Sequence, residues 1–156
     1  MSTRISSTLV GEEAMRVAEQ FELQCGRYPR RVHTLGVGYD LQSSLHDLSQ
    51  ERFIEVKGFT EAWETHTWQP LYKSQERVLR ENPDKFFLYI VHFAKAEFPS
   101  NPQMFVLSGL QILNDGFKLE PETFRLTPIS RKRLEPYTVD VNKSVVKSQS
   151  KDLQHK

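Results

Sequence analysis

From Val10 onward the apolar residues recur at helical spacing: Val10, Ala14, Val17, Ala18, Phe21 and Cys25. This predicts an amphipathic helix over residues 10–25 with Gly26 as its C-terminal stop, after a loose segment over residues 1–9. Glu12, Arg16 and Glu19 fall on the far face, and Glu22 on the border of the apolar stripe. Residues 27–31 (Arg-Tyr-Pro-Arg-Arg) read as a connector, because Pro29 interrupts regular structure. Residues 32–35 read as a short strand. Gly36 and Gly38 bracket Val37 and permit positive φ or a close backbone approach.

Period two takes over next. Residues 39–43 and 52–57 predict two antiparallel strands joined by the polar stretch 44–51. On the first, Asp40 and Gln42 share a face. On the second, Phe53, Glu55 and Lys57 share a face, with Ile54 and Val56 behind it. Two adjacent strands therefore bring Asp40 and Glu55/Lys57 onto one surface. Residues 59–70 form a long connection that either serves a neighbouring site or is pinned against the core by Trp63 and Trp68. A second helix is predicted over 71–82, with Leu71, Val78 and Leu79 inward, Gln75 in the middle of that face, and Lys73, Arg77 and Arg80 opposite. The apolar run Phe86–Phe93 has the composition of a central strand covered on both faces. A strand follows at 104–107, a helical turn at 110–113, and an edge strand at 124–128. Residues 10–140 form one α/β domain, a sandwich of helices on a sheet, and 141–156 a polar, basic, disordered tail.

Composition narrows the function classes. The 156 residues carry a formal net charge of +1, so an anionic partner must be held by a local patch. No apolar run is long enough for a membrane span, and the N-terminus lacks a secretory apolar core. The single cysteine, Cys25, excludes an intrachain disulfide and fits a reducing, cytoplasmic setting. Zinc-spaced Cys/His pairs and phosphate-cradling glycine motifs are lacking.

Charges on an apolar strand need a reason, because an unpaired buried charge is costly. One reason is a metal-dependent phosphodiesterase site. Asp40 and Glu55 would hold Mg²⁺ or Mn²⁺, the Val56 carbonyl would add a ligand, and Glu22 or Glu13 would complete the set. Lys57 would assist the water or the phosphate, and Gln75 would orient water or Lys57. The other reason is a Lys57–Asp40 or Lys57–Glu55 ion pair that only holds the hairpin. The inward Gln75 and the apolar strand after it favour a site. Arg27, Arg30, Arg31, Lys73, Arg77 and Arg80 would follow a nucleic-acid backbone, and Trp63 and Trp68 would stack on unpaired bases.

The arrangement Gly38-Tyr39-Asp40 … Ile54-Glu55-Val56-Lys57-Gly58 resembles the core of the PD-(D/E)xK nuclease superfamily. Glu22-x-x-x-Gly26-Arg27 followed by Pro29, and the Tyr72-x-x-Gln75-Glu76 helix before Phe-Phe-Leu-Tyr-Ile-Val, resemble one branch of it. That branch is a domain of unknown function associated with helicases and restriction systems, related to Mrr-like and NERD-like endonucleases. The resemblance covers roughly residues 10–110. It implies a restriction-endonuclease-like core, a mixed β-sheet flanked by helices, with Asp40, Glu55 and Lys57 as the signature. It also implies DNA, or RNA, as substrate. The hairpin lacks the glycine turn of that pattern, and the Ser/Thr before the helical Glu is not evident. A module of this size would draw specificity from a helicase or methyltransferase partner or from homodimerisation. The alternative is a catalytically silent nucleic-acid-binding or protein-interaction module of the same fold.

Overall fold

The computed structural model of the chain describes residues 4–66, 68–120 and 125–141. The first helix, α1 (Ser7–Gln24), starts three residues before Val10, because the Ser6 hydroxyl accepts the Leu9 N–H at 3.1 Å and caps it. Gly26, at φ +77°, ends it as the sequence predicts. The stretch expected as a connector is instead a strand, β1 (Tyr28–Arg31). It tolerates Pro29 because it lies at the sheet edge. The strand expected at 32–35 is a 3₁₀ turn, His33–Leu35.

The remaining elements are β2 (Leu41–Ser44), β3 (Arg52–Phe59), β4 (Gln69–Pro70), α2 (Lys73–Glu81), β5 (Phe86–His92), β6 (Gln103–Ser108), α3 (Gly109–Asn114), β7 (Lys118–Glu120), β8 (Arg125–Thr127), α4 (Arg131–Leu134) and β9 (Thr138–Val139). Six strands form a mixed sheet in the order β1-β2-β3-β5-β6-β9. Its pairs are antiparallel except β3–β5, whose parallel register requires the crossover that carries α2. A smaller sheet runs β4-β8-β7. The strand expected at an edge over 124–128 is therefore the middle strand of a second sheet, and Leu126 is fully buried. Phe124 and residues 142–156 of the expected tail lie outside the described residues.

Alternation along β5 explains the two cores. Phe86, Leu88 and Ile90 join Val78 and Leu79 of α2. Tyr89 and Val91 join Val10, Ala14, Met15, Val17 and Ala18 of α1 on the opposite face. The fold is thus α/β, a mixed six-stranded sheet with a helix on each face. No helix among the described residues is long and apolar enough to cross a membrane.

Close backbone approach fixes α1 on β3. A Cβ on Gly58 would lie 2.7 Å from Ala14 Cβ and 3.1 Å from the Val10 carbonyl oxygen. Gly58→Ala is expected to destabilise the fold by about 1–3 kcal/mol, the usual penalty of overpacking, read by urea denaturation. An unchanged midpoint would mean that α1 can shift without loss.

Candidate active site

Asp40 owes its position to the turn before β2. Gly36 and Gly38 sit at φ +66° and +88°, and a Cβ on Gly38 would lie 2.7 Å from the Ser74 carbonyl oxygen of α2. The chain thus passes directly against α2. Main-chain bonds extend the ladder past β2: Asp40 N–H donates to the Ile54 carbonyl (2.9 Å), and its own carbonyl accepts from Val32 N–H (2.8 Å). The Asp40 carboxylate then takes the place of a third strand residue, with Oδ2 accepting the Val56 N–H at 2.9 Å. In an extended strand the N–H and C=O of one residue face the same edge. The Val56 carbonyl therefore faces Asp40's edge.

Glu55 and Lys57 project from β3 toward α2. Glu55 is 3% exposed. Its Oε1 lies 2.9 Å from Lys57 Nζ and accepts from Gln75 Nε2 at 2.6 Å. Gln75 Oε1 accepts from Lys57 Nζ (3.3 Å) and from the Tyr72 N–H (2.9 Å) at the start of α2. One amide therefore caps a helix and holds both charges of the pair. The Tyr72 ring stands 5.3 Å from Lys57 Nζ and is largely in solvent. Tyr72 is the N-cap residue of α2. Its exposure at the site follows from its N-cap position, which periodicity alone does not reveal.

Burial pushes the Glu55 carboxyl up to about 7. Lys57 opposes that rise, while the charge of the neighbouring Asp40 carboxylate adds to it. Glu55 Oε2 is buried without a hydrogen-bond partner. A buried carboxylate oxygen left unpaired beside a second carboxylate is a donor set that suits a hard divalent cation. No group of three or more His, Cys, Asp or Glu among the described residues could hold a metal. A cation here would therefore have two protein carboxylates and the Val56 carbonyl, the sparse coordination usual for Mg²⁺.

Glu22 does not join this group. It is fully buried on the α1 side of the sheet, with Arg27 Nε 2.5 Å from Oε2, Arg52 Nη1 3.4 Å from Oε1, and the Tyr89 hydroxyl donating to Oε1. The sheet separates it from Glu55, so its expected place as a metal ligand is corrected. Glu13 pairs with Arg16. Burial alone would raise the Glu22 carboxyl, but hydrogen bonds from Arg27 and Tyr89 and the charges of Arg27 and Arg52 outweigh it and hold it below its ordinary value.

The expected nucleic-acid contacts divide the same way. Arg27 is buried against Glu22, and Arg31 is paired with Glu12 and Glu19, both on the α1 side. Arg27 is not available to a phosphate while its pair holds, whereas Arg31 is exposed. Arg30, paired in register with Gln42, shares the sheet face of Asp40 and donates to Gln42 Oε1 at 3.0 Å. Lys73, Arg77 and Arg80 are exposed on α2, with Arg80 bound to Glu76. Trp63 is packed edge-on against Phe59 (5.0 Å) and Phe105 (5.6 Å), so its expected base-stacking position is corrected to a core contact. Trp68 is 41% exposed.

No curated protein and no solved structure matches the chain. The model of the family described as Protein NO VEIN, C-terminal, matches residues 10–107, from α1 into β6 and across Asp40, Glu55, Lys57 and Gln75, and the chain belongs to that family.

Proposed function

We propose that the chain is a metal-dependent nuclease of the PD-(D/E)xK type with a restriction-endonuclease-like core, hydrolysing phosphodiesters of DNA or RNA in the cytoplasm. The observation that carries the reading is the convergence of Asp40, Glu55, Lys57 and Gln75 on one point of the sheet, with Glu55 Oε2 buried and unpartnered. Mg²⁺ or Mn²⁺, when held by Asp40, Glu55 and the Val56 carbonyl, would neutralise phosphate charge and acidify the attacking water. Lys57 contributes a cation at the phosphate, and Gln75 fixes that cation's direction while keeping the Glu55 carboxylate in place. Asp40 is itself fixed by the Val56 N–H. Arg30, Lys73 and Arg77 would guide the backbone of the substrate. Specificity would come from a helicase or methyltransferase partner or from a second copy of the chain.

A second reading, a silent nucleic-acid-binding or protein-interaction module, draws on the closed Lys57–Glu55 pair and on the engagement of Arg27 and Arg31 by carboxylates. The test is cleavage of plasmid and single-stranded DNA in Mg²⁺ or Mn²⁺ by the wild type, Asp40→Ala and Lys57→Ala. Under the nuclease reading each variant loses about 10²–10⁴-fold in rate. Cleavage that persists in both variants, or its absence from the wild type, sinks the reading.

A further inference from the structure

We infer that Tyr72 is the base-stacking platform of this site and restricts it to unpaired nucleotides. The inference rests on the nuclease reading for the position of the phosphate. Tyr72 is 65% exposed, although it stands at the N-terminus of α2, directly beside a buried network. Its main chain is held there by the Gln75 side chain, and its ring lies 5.3 Å from Lys57 Nζ. A large aromatic ring in solvent, fixed over the one ammonium of the site, is placed for a ligand that offers both an anion and a π-face. A nucleotide offers both. With its phosphate at Lys57, the adjoining base falls within one nucleotide's span of the Tyr72 ring. Lys73, the next residue, is exposed and adds a cation for the neighbouring phosphate.

Pairing state follows from the geometry of stacking. In a duplex both faces of an internal base are covered by its neighbours, so the Tyr72 ring has no face to meet. An unpaired or frayed base offers one, and stacking on an aromatic side chain is sequence-tolerant. Trp63 is less suited to this purpose, because its ring is partly buried and packs edge-on against Phe59 and Phe105.

The experiment is fluorescence anisotropy of a labelled single-stranded oligothymidylate and of a labelled duplex of equal length. Wild type, Tyr72→Phe and Tyr72→Ala are compared in Mg²⁺, with the same samples run on a gel for cleavage. The expected result is tighter binding of the single strand, a loss of about tenfold for it in Tyr72→Ala, retention in Tyr72→Phe, and unchanged duplex binding. Equal losses on both ligands, no loss, or no single-strand binding by the wild type overturns the inference. Tyr72-dependent binding without any cleavage would leave the stacking platform standing and remove the nuclease reading. Cleavage that is indifferent to Tyr72 does the reverse.

Discussion

Glu22→Ala is expected to lower the unfolding free energy by about 3–5 kcal/mol at neutral pH, the range for removing one partner of a buried ion pair. Glu22 has no contact with solvent, and Arg27, its closest cationic partner, is 8% exposed. The guanidinium reaches both oxygens, Nε at 2.5 Å and Nη2 at 3.1 Å. The Tyr89 hydroxyl donates to the same carboxylate and accepts from Arg52 Nη1 at 2.8 Å. Deleting the carboxylate leaves a buried cation and a buried hydroxyl without their acceptor, and the desolvation of both remains. Replacing both charges, as in Glu22→Leu with Arg27→Met, is expected to recover much of the loss, because neither charge is then stranded. The pH dependence has a definite sign. The folded pKa of Glu22 lies below its ordinary value, so its contribution is present above the ordinary carboxylate range and is lost as pH falls through the lower, folded value. Guanidinium denaturation of the wild type, the single variant and the double variant measures this. A single-variant loss under about 1 kcal/mol would show that the network is solvated in solution.

The second large effect has the opposite sign. Burial holds the Glu55 carboxyl at about 7, well above its unfolded value. The metal-free fold therefore takes up a proton at Glu55 that the unfolded chain has already released. Its stability contribution is complete below the unfolded pKa and disappears as pH rises through about 7. The shift corresponds to about 3 kcal/mol over that window. Thermal unfolding in a chelator at about pH 5 and about pH 8 is expected to show this slope in the wild type and to lose most of it in Glu55→Gln. Mg²⁺ binds the ionised form, so it should raise the melting temperature more at the higher pH and release a proton when it binds near pH 6. Parallel pH slopes in the wild type and in Glu55→Gln would refute the assignment of the buried proton to Glu55.

Much of the arrangement was legible because two periodicities speak for themselves. Period two put Glu55 and Lys57 on one face of β3, and period 3.6 put Gln75 at the centre of the inner face of α2. Their meeting at 2.6–3.3 Å follows from those two patterns together with the packing of α2 on that face. The apolar run at 86–93 likewise announced a central strand, and β5 lies between β3 and β6. Other residues carried no such signal. Pro29 reads as a breaker in isolation, and only a place at the sheet edge makes it compatible with β1. Glu22 lies on the border of a stripe, where pattern cannot distinguish a solvated flank from a buried carboxylate. Its partner Arg27 arrives through the turn after α1, and Tyr89 arrives from the far half of the chain. Trp63 sits in a stretch without periodicity, so the sequence left a core anchor and a base-stacking ring as alternative readings and did not single out Phe59 and Phe105 as its neighbours.

The parallel pairing of β3 with β5 also divides the site between two pieces of chain. Asp40 and Glu55 lie on one antiparallel pair, whereas Gln75 lies 20 residues from Glu55 and the β5 partner of Glu55, Leu88, further still. Gln75 and the wall of β5 are delivered across a crossover, and such long-range contacts incur chain-closure entropy before they are rewarded. The two carboxylates are brought together by the β2–β3 pair alone, while the amide that holds Lys57 and Glu55 depends on the docking of α2. A permuted chain that opens the β2–β3 connection would make the meeting of the two carboxylates the longest-range contact of the site and leave the docking of α2 unchanged in range.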